Sequence, residues 1–157
     1  MADCIVAQIT ANRKAALAAM TVAGGYSFTP KKVEEQRIVR NVNGNYPYIE
    51  IAKAPIAPET ENNVSEHTKI MYMVMYEDQY NDDDASIPEI VKHFCNVTAD
   101  LIKAWMVDRT CGGLAEMTKT IDYDEGVVTE NGLNFFRAYV IFEVETLIDS
   151  SNPYLKG

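Results

Sequence analysis

Basic residues are scarce in this chain: 14 Lys and Arg stand against 23 Asp and Glu, a formal charge of −9. That balance argues against a nucleic-acid-binding surface, which needs clustered Lys and Arg. It is compatible with a protein that DNA merely passes, because a negative wall repels phosphate. Cysteine is equally sparse. Cys4, Cys95 and Cys111 form an odd set with no CxxC spacing and read as buried or incidental thiols in a reducing compartment. The start lacks a charged segment followed by an apolar one, so no signal peptide is expected. Apolar runs are broken by Lys, Glu or Asp well short of a membrane span, which predicts a soluble protein of cytoplasm-like conditions.

Catalytic signatures are missing too. The two histidines, His67 and His93, stand in no HExxH or comparable spacing. GxSxG, GxxxxGK[ST] and GxGxxG do not occur, so nucleophile-elbow and phosphate-cradle chemistries lack support. No catalytic, cofactor or metal residue is assigned from the sequence.

What is present is a chain of 157 residues, 47% hydrophobic and 24% charged, which fits one globular domain over residues 1–157. Residues Asp3 to about Val22 have helical periodicity, with Ile5, Val6, Ile9, Leu17 and Met20 as the apolar stripe and Asp3 as a candidate N-cap. Gly24-Gly25 supplies the residue type that helix C-termini favour. Val33 to about Val42 reads as a charged strand. Asn43-Gly44-Asn45 then gives a turn, and Tyr46 to Lys53 a returning strand. Ala54 to Glu66 is polar and reads as a loop, His67 to Glu77 as a strong strand, and Asn81 to Ala85 as an acidic loop.

Ser86 and Glu89 form a capping box with Pro88 in the first turn of a helix running to about Asp108. Its stripe includes Ile90, Val91, Phe94, Leu101, Ile102 and Trp105. Leu114 to Tyr123 and Phe135 to Leu147 read as a closing hairpin, with Asp124-Glu125-Gly126 and Asn131-Gly132 in its loop region. Residues 150–157 read as an irregular tail. The expected fold is therefore α+β: a mostly antiparallel sheet of about five strands with two main helices, in the order α-β-β-β-α-β-β.

Two strands are apolar on both faces. In the segment His67 to Glu77, Ile70, Tyr72, Val74 and Tyr76 face one way while Met71, Met73 and Met75 face the other. In the last strand Phe136, Ala138, Val140, Phe142 and Val144 share one face. Phe135, Tyr139, Ile141 and Leu147 share the second, broken by Arg137, Glu143 and Glu145. A sheet with one wet face shows polar residues at every second position. The methionines fit core packing or an adaptable contact surface. If the first helix covers the second face, the core reading holds. If it does not, Met71, Met73, Met75, Tyr139 and Ile141 are the candidate self-association face.

The acidic run Asp82-Asp83-Asp84 lacks the alternating donors of an EF-hand and reads as a solvated loop, with a weak divalent-cation site at a subunit boundary as the sharper alternative. Asp122, Asp124 and Glu125 read as turn carboxylates capping backbone N–H groups rather than as an acid/base pair.

The layout resembles the tail-terminator and minor tail protein families of long-tailed bacteriophages. The likeness rests on the opening helix, Gly24-Gly25-Tyr26, and strands ending in Tyr46-Pro47-Tyr48-Ile49-Glu50-Ile51. It continues through a long helix with a Trp to a hairpin that reads Thr118-Lys119-Thr120-Ile121-Asp122-Tyr123-Asp124-Glu125-Gly126, then Arg137-Ala138-Tyr139-Val140-Ile141-Phe142-Glu143-Val144. It covers nearly the full length and rests on pattern and element order. The resemblance implies a virion protein without catalysis, assembled in the host cytoplasm. Such a protein forms a homo-hexameric ring at the head-proximal end of the tail tube, stops tube polymerisation and meets neck or connector proteins. DNA would slide through the channel without specific binding, past an acidic lining for which Asp82, Asp83 and Asp84 are candidates, and no membrane is involved. A neighbouring neck or tail-completion protein of similar fold is the structural alternative. From another class, the rival is a small host α+β ligand-binding domain or enzyme with a pocket near Trp105.

Overall fold

The computed structural model describes residues 3–35, 44–54, 59–60, 65–80, 87–149 and 152. The chain runs α1 (Ile5–Ala18), β1 (Lys32–Glu35), β2 (Tyr48–Lys53), β3 (Glu59–Thr60), β4 (Ser65–Tyr80), α2 (Ile87–Met106), β5 (Met117–Glu130) and β6 (Leu133–Asp149). This is the expected α+β fold, with the two-residue β3 added to the five anticipated strands. The strands form one sheet in the order β1-β2-β4-β6-β5, and β3 pairs with the start of β4.

Both helices lie on the same side of this sheet. Thr10 of α1 hydrogen-bonds the Tyr72 hydroxyl at 3.0 Å. From α2, Trp105 stacks flat on Phe142 at 4.6 Å and tilts against Tyr72 at 5.3 Å. The strand residues on that side, Ile49, Ile51, Ile70, Tyr72, Val74, Tyr76, Ala138, Val140, Phe142 and Val144, are all buried. Period-two alternation therefore places one complete apolar set under the helices. The first helix does not reach the second face.

The α1 stripe is interrupted by Arg13, which is 1% exposed. Its guanidinium donates to the Trp105 carbonyl and to Asn12 Oδ1, and lies 3.9 Å from the Asp108 carboxylate. A charge this deep persists because it is paired and hydrogen-bonded. The N-cap position of α1 is Cys4 rather than Asp3, and no side chain caps it. The glycine pair closes a turn of 3-10 helix over Val22–Gly24, with Gly25 at φ +82°.

Three local expectations change, and one irregularity is new. First, β1 and β2 are parallel, Val33 beside Ile49 and Glu34 beside Glu50, where a returning strand was expected. This pairing aligns the apolar pair on the helix side and lets the Tyr48 hydroxyl donate to Glu34 and Glu50 at 3.4 and 3.3 Å. What changes is the direction of the pairing; residues 36–43, which hold most of the expected first strand and the start of Asn43-Gly44-Asn45, lie outside the described residues. Second, Asp124-Glu125-Gly126 is strand, not loop. The hairpin turns on Asn131-Gly132 alone, at φ +53° and +74°. Those values suit a two-residue turn of the twist that hairpins favour. The carboxylates do not break β5 because Asp122 and Asp124 project from the uncovered face, opposite Ile141 and Tyr139.

The new irregularity is a bulge at Ile121, which shifts the β5 register between Thr120 and Asp122. Third, the loop expected over Ala54 to Glu66 contains β3, and its last two residues already belong to β4, whose pairing with β6 runs from Ser65 to Tyr80. The Ser86 half of the capping box, the Asp82-Asp83-Asp84 run and the 150–157 tail other than residue 152 lie outside the described residues.

Candidate functional site: the uncovered face of the sheet

Register brings the five residues of the candidate contact face together. Met75 lies opposite Tyr139, Met73 opposite Ile141, and Met71 opposite Glu143 across the β4–β6 pair. On the other flank Ala52 and Glu50 of β2 face Met73 and Met75. No described helix lies over them. Met73 is 38% exposed, and Met71, Met75, Tyr139 and Ile141 are each half-buried. On the same face Tyr48, Ala52, Glu77 and Phe135 are buried, so the open part is the strip of Met71, Met73, Met75, Tyr139 and Ile141, whose half-burial is what flat neighbours on a sheet give one another.

Ion pairs frame this apolar strip at both ends. At one end Arg137 donates to Glu77 and, at 2.8 Å, to Glu130. The two carboxylates hold its guanidinium charged beyond its already high basicity. At the other end Lys119 contacts Glu143 at 2.6 Å and Glu145 at 3.2 Å. The ammonium holds the Glu143 carboxyl below its usual range, and the carboxylates raise Lys119. An apolar centre with a charged rim is the anatomy of a protein–protein contact. Arg137, Glu143 and Glu145 interrupt the sequence pattern at these rim positions, but their partners Glu77, Glu130 and Lys119 become legible only once the register is known.

A second cluster lies on the helix side, at the β4 end that meets α2. The Tyr76 hydroxyl donates to Asp78 at 3.2 Å and shares a 3.3 Å contact with His93 Nε2. Burial raises the Tyr76 and Asp78 pKa values and lowers that of His93. Lys31, Gly44, Tyr46, Asp78, Gln79 and Tyr80 line an adjoining cleft of about 360 Å³. His93 is thus partnered, as a general acid or base must be. No spacing in the chain signals it, since its partners lie on another element.

The pocket envisaged near Trp105 is filled: the indole is fully buried between Phe142 and Tyr72, and among the described residues its Nε1 has no hydrogen-bond partner. His67 sits half-buried on β4 opposite Leu147 and Glu59. Cys111 is buried, Cys4 half-buried and Cys95 exposed, all as free thiols. Asp122 and Asp124 do accept backbone N–H groups, those of Tyr123 and Glu125, each at 2.8 Å. Glu125 accepts from the Thr98 hydroxyl at 2.9 Å. Among the described residues no three His, Cys, Asp or Glu side chains group to hold a metal ion. No described helix is long and apolar enough to cross a membrane. In comparisons with known proteins, no family model and no curated protein matches the chain.

Proposed function

We infer that this chain is a structural subunit of a long-tailed bacteriophage virion, assembled in the host cytoplasm. Copies close into a ring, six by the family resemblance, at the head-proximal end of the tail tube. There they stop tube growth and join tail to neck, without catalysis. One observation carries the reading: Met71, Met73, Met75, Tyr139 and Ile141 converge on a sheet face that neither helix covers. A contiguous apolar strip of that kind marks a partner surface. The element order resembles that of tail terminators, and the charge of −9 suits a channel that releases DNA. The test is negative-stain imaging of tails made without the gene. Overlong or unjoined tubes support termination, whereas normal infectious particles refute it. Gene order separates the terminator from a neighbouring neck or completion protein, because a tail-tube gene immediately downstream favours the terminator.

The Tyr76–Asp78–His93 cluster favours a second reading, a small-ligand site in the cleft beside Lys31. A His93→Gln variant that assembles normally in tails removes that reading from the structural role.

A further inference from the structure

β5 is an edge strand: β6 pairs with one side of it, and among the described residues nothing pairs with the other. Every second N–H and C=O of such a strand is turned away from the sheet, ready for another chain. Protected edges carry outward charge or a distorting bulge. Here the bulge at Ile121 sits toward one end and leaves the run from Asp122 to Glu130 regular, and the charge on that run is all acidic, so it turns away a like strand and admits a basic one. Along this run the helix-side positions Tyr123 and Val127 are apolar and exposed, Tyr123 by 57%, and Val91 of α2 is exposed as well. Between strand and helix lies a groove of about 340 Å³, lined by Cys95, Thr98, Ala99 and Ile102 of α2 and by Tyr123 and Glu125. On the other side of the same strand Asp122 and Asp124 project beside Ile141 and Tyr139.

We propose that the outer edge of β5 accepts an extended segment of a partner protein as an added strand. Alternate side chains of that segment are apolar, filling the groove against α2, and basic, meeting Asp122 and Asp124. Main-chain hydrogen bonds supply affinity and the two sets of side chains supply selectivity, as in other strand additions. Charge complementarity selects this occupant. From Met117 to Glu130 the strand carries Asp122, Asp124, Glu125 and Glu130 against one cation, Lys119, which Glu143 and Glu145 already hold. A second copy's β5 would bring the same carboxylates, and like charges facing each other destabilise a strand pair. The β5 backbone edge and the α2 groove lie outside the Met71–Met75 strip, while Asp122 and Asp124 adjoin its Ile141 and Tyr139; the peptide is therefore titrated into the isolated chain, where the inference does not depend on ring formation.

The probe is a fluorescent peptide, acetyl-Lys-Val-Lys-Ile-Lys-Val-Lys-Ile-amide, titrated into the full chain by anisotropy. A version with the same residues but the lysines clustered, and one N-methylated at alternate amides, control for charge and for backbone pairing. The alternating peptide is expected to bind about tenfold more tightly than either control. An Asp122→Lys/Asp124→Lys double variant should lose about tenfold in affinity, and hydrogen exchange should slow at Asp122–Glu130. Equal binding of all three peptides, undiminished binding by the double variant, or protection at Met71–Met75 instead would overturn the proposal. So would β5 protection that grows with protein concentration in the absence of peptide, which would make the occupant a second copy.

Discussion

Replacing Met73 by lysine should separate folding from assembly. In the isolated chain Met73 is 38% exposed, between Ala52 on one flank and Ile141 on the other. A lysine there can lay its stem along the sheet and lift its ammonium into water, so stability should fall by no more than about 1 kcal/mol. In the proposed ring the position would be covered. Burying a methionine side chain contributes roughly 1.5–3 kcal/mol, so covering the 38% still exposed adds about 0.5–1 kcal/mol. Carrying an ammonium into the same contact costs several kcal/mol more. A combined loss of about 4 kcal/mol weakens association on the order of a thousandfold. Urea denaturation reads the first quantity. Competition between tagged variant and wild-type chains for incorporation into tails reads the second. The expected result is a near-normal urea midpoint with almost no incorporation. If Met73→Lys is incorporated like wild type, the face is not the contact. If it unfolds the chain, Met73 is core and the reasoning from exposure fails.

Burial raises the Asp78 pKa, so the folded chain binds its proton more tightly than the unfolded chain does. The stability this contributes is present below the usual 3.8 and is lost as pH rises through the raised value. Asp78→Asn should therefore raise the urea midpoint at neutral pH, while no change there would contradict the desolvation argument. His93 has the opposite sign. Burial lowers its pKa, so its contribution is complete above 6.5 and drains away as pH falls toward the depressed value. Urea midpoints measured from pH 7 downward should fall less steeply in His93→Gln than in wild type. Gly132 turns the hairpin at φ +74°, and Gly132→Ala should cost about 1 kcal/mol, measured by thermal unfolding. A stabilised variant would show that the turn is not built on positive φ.

The helix-side core was legible because the β4 and β6 segments alternate with period two and α2 repeats with the helical period. Ile70 to Tyr76 and Phe136 to Val144 needed no tertiary knowledge. The residues of the open face were legible for the same reason, as the odd-numbered neighbours of those residues. Four features were hidden. The parallel direction of β1 depends on which residues meet Ile49 and Glu50 across the pair, and a local turn signal carries no such information. The length of β5 was obscured because carboxylates at Asp122 and Asp124 look like loop chemistry until their face is known to be wet. Arg13 was missed because a buried guanidinium mimics a polar break in an apolar stripe, and only its pairing with the Trp105 carbonyl and Asn12 explains it. The cluster of Tyr76, Asp78 and His93 joins a strand to a helix, so no spacing in the chain announces it.

Methionine oxidation by dilute peroxide, followed by mass spectrometry on the isolated chain and on assembled tails, tests the contact face directly. In the isolated chain Met73 should oxidise readily and Met20, which is fully buried, should not. In tails the Met73 rate should fall by about tenfold or more, with Met71 and Met75 following it. An unchanged Met73 rate in the assembled particle would mean that the face stays open to water and that the copies meet elsewhere.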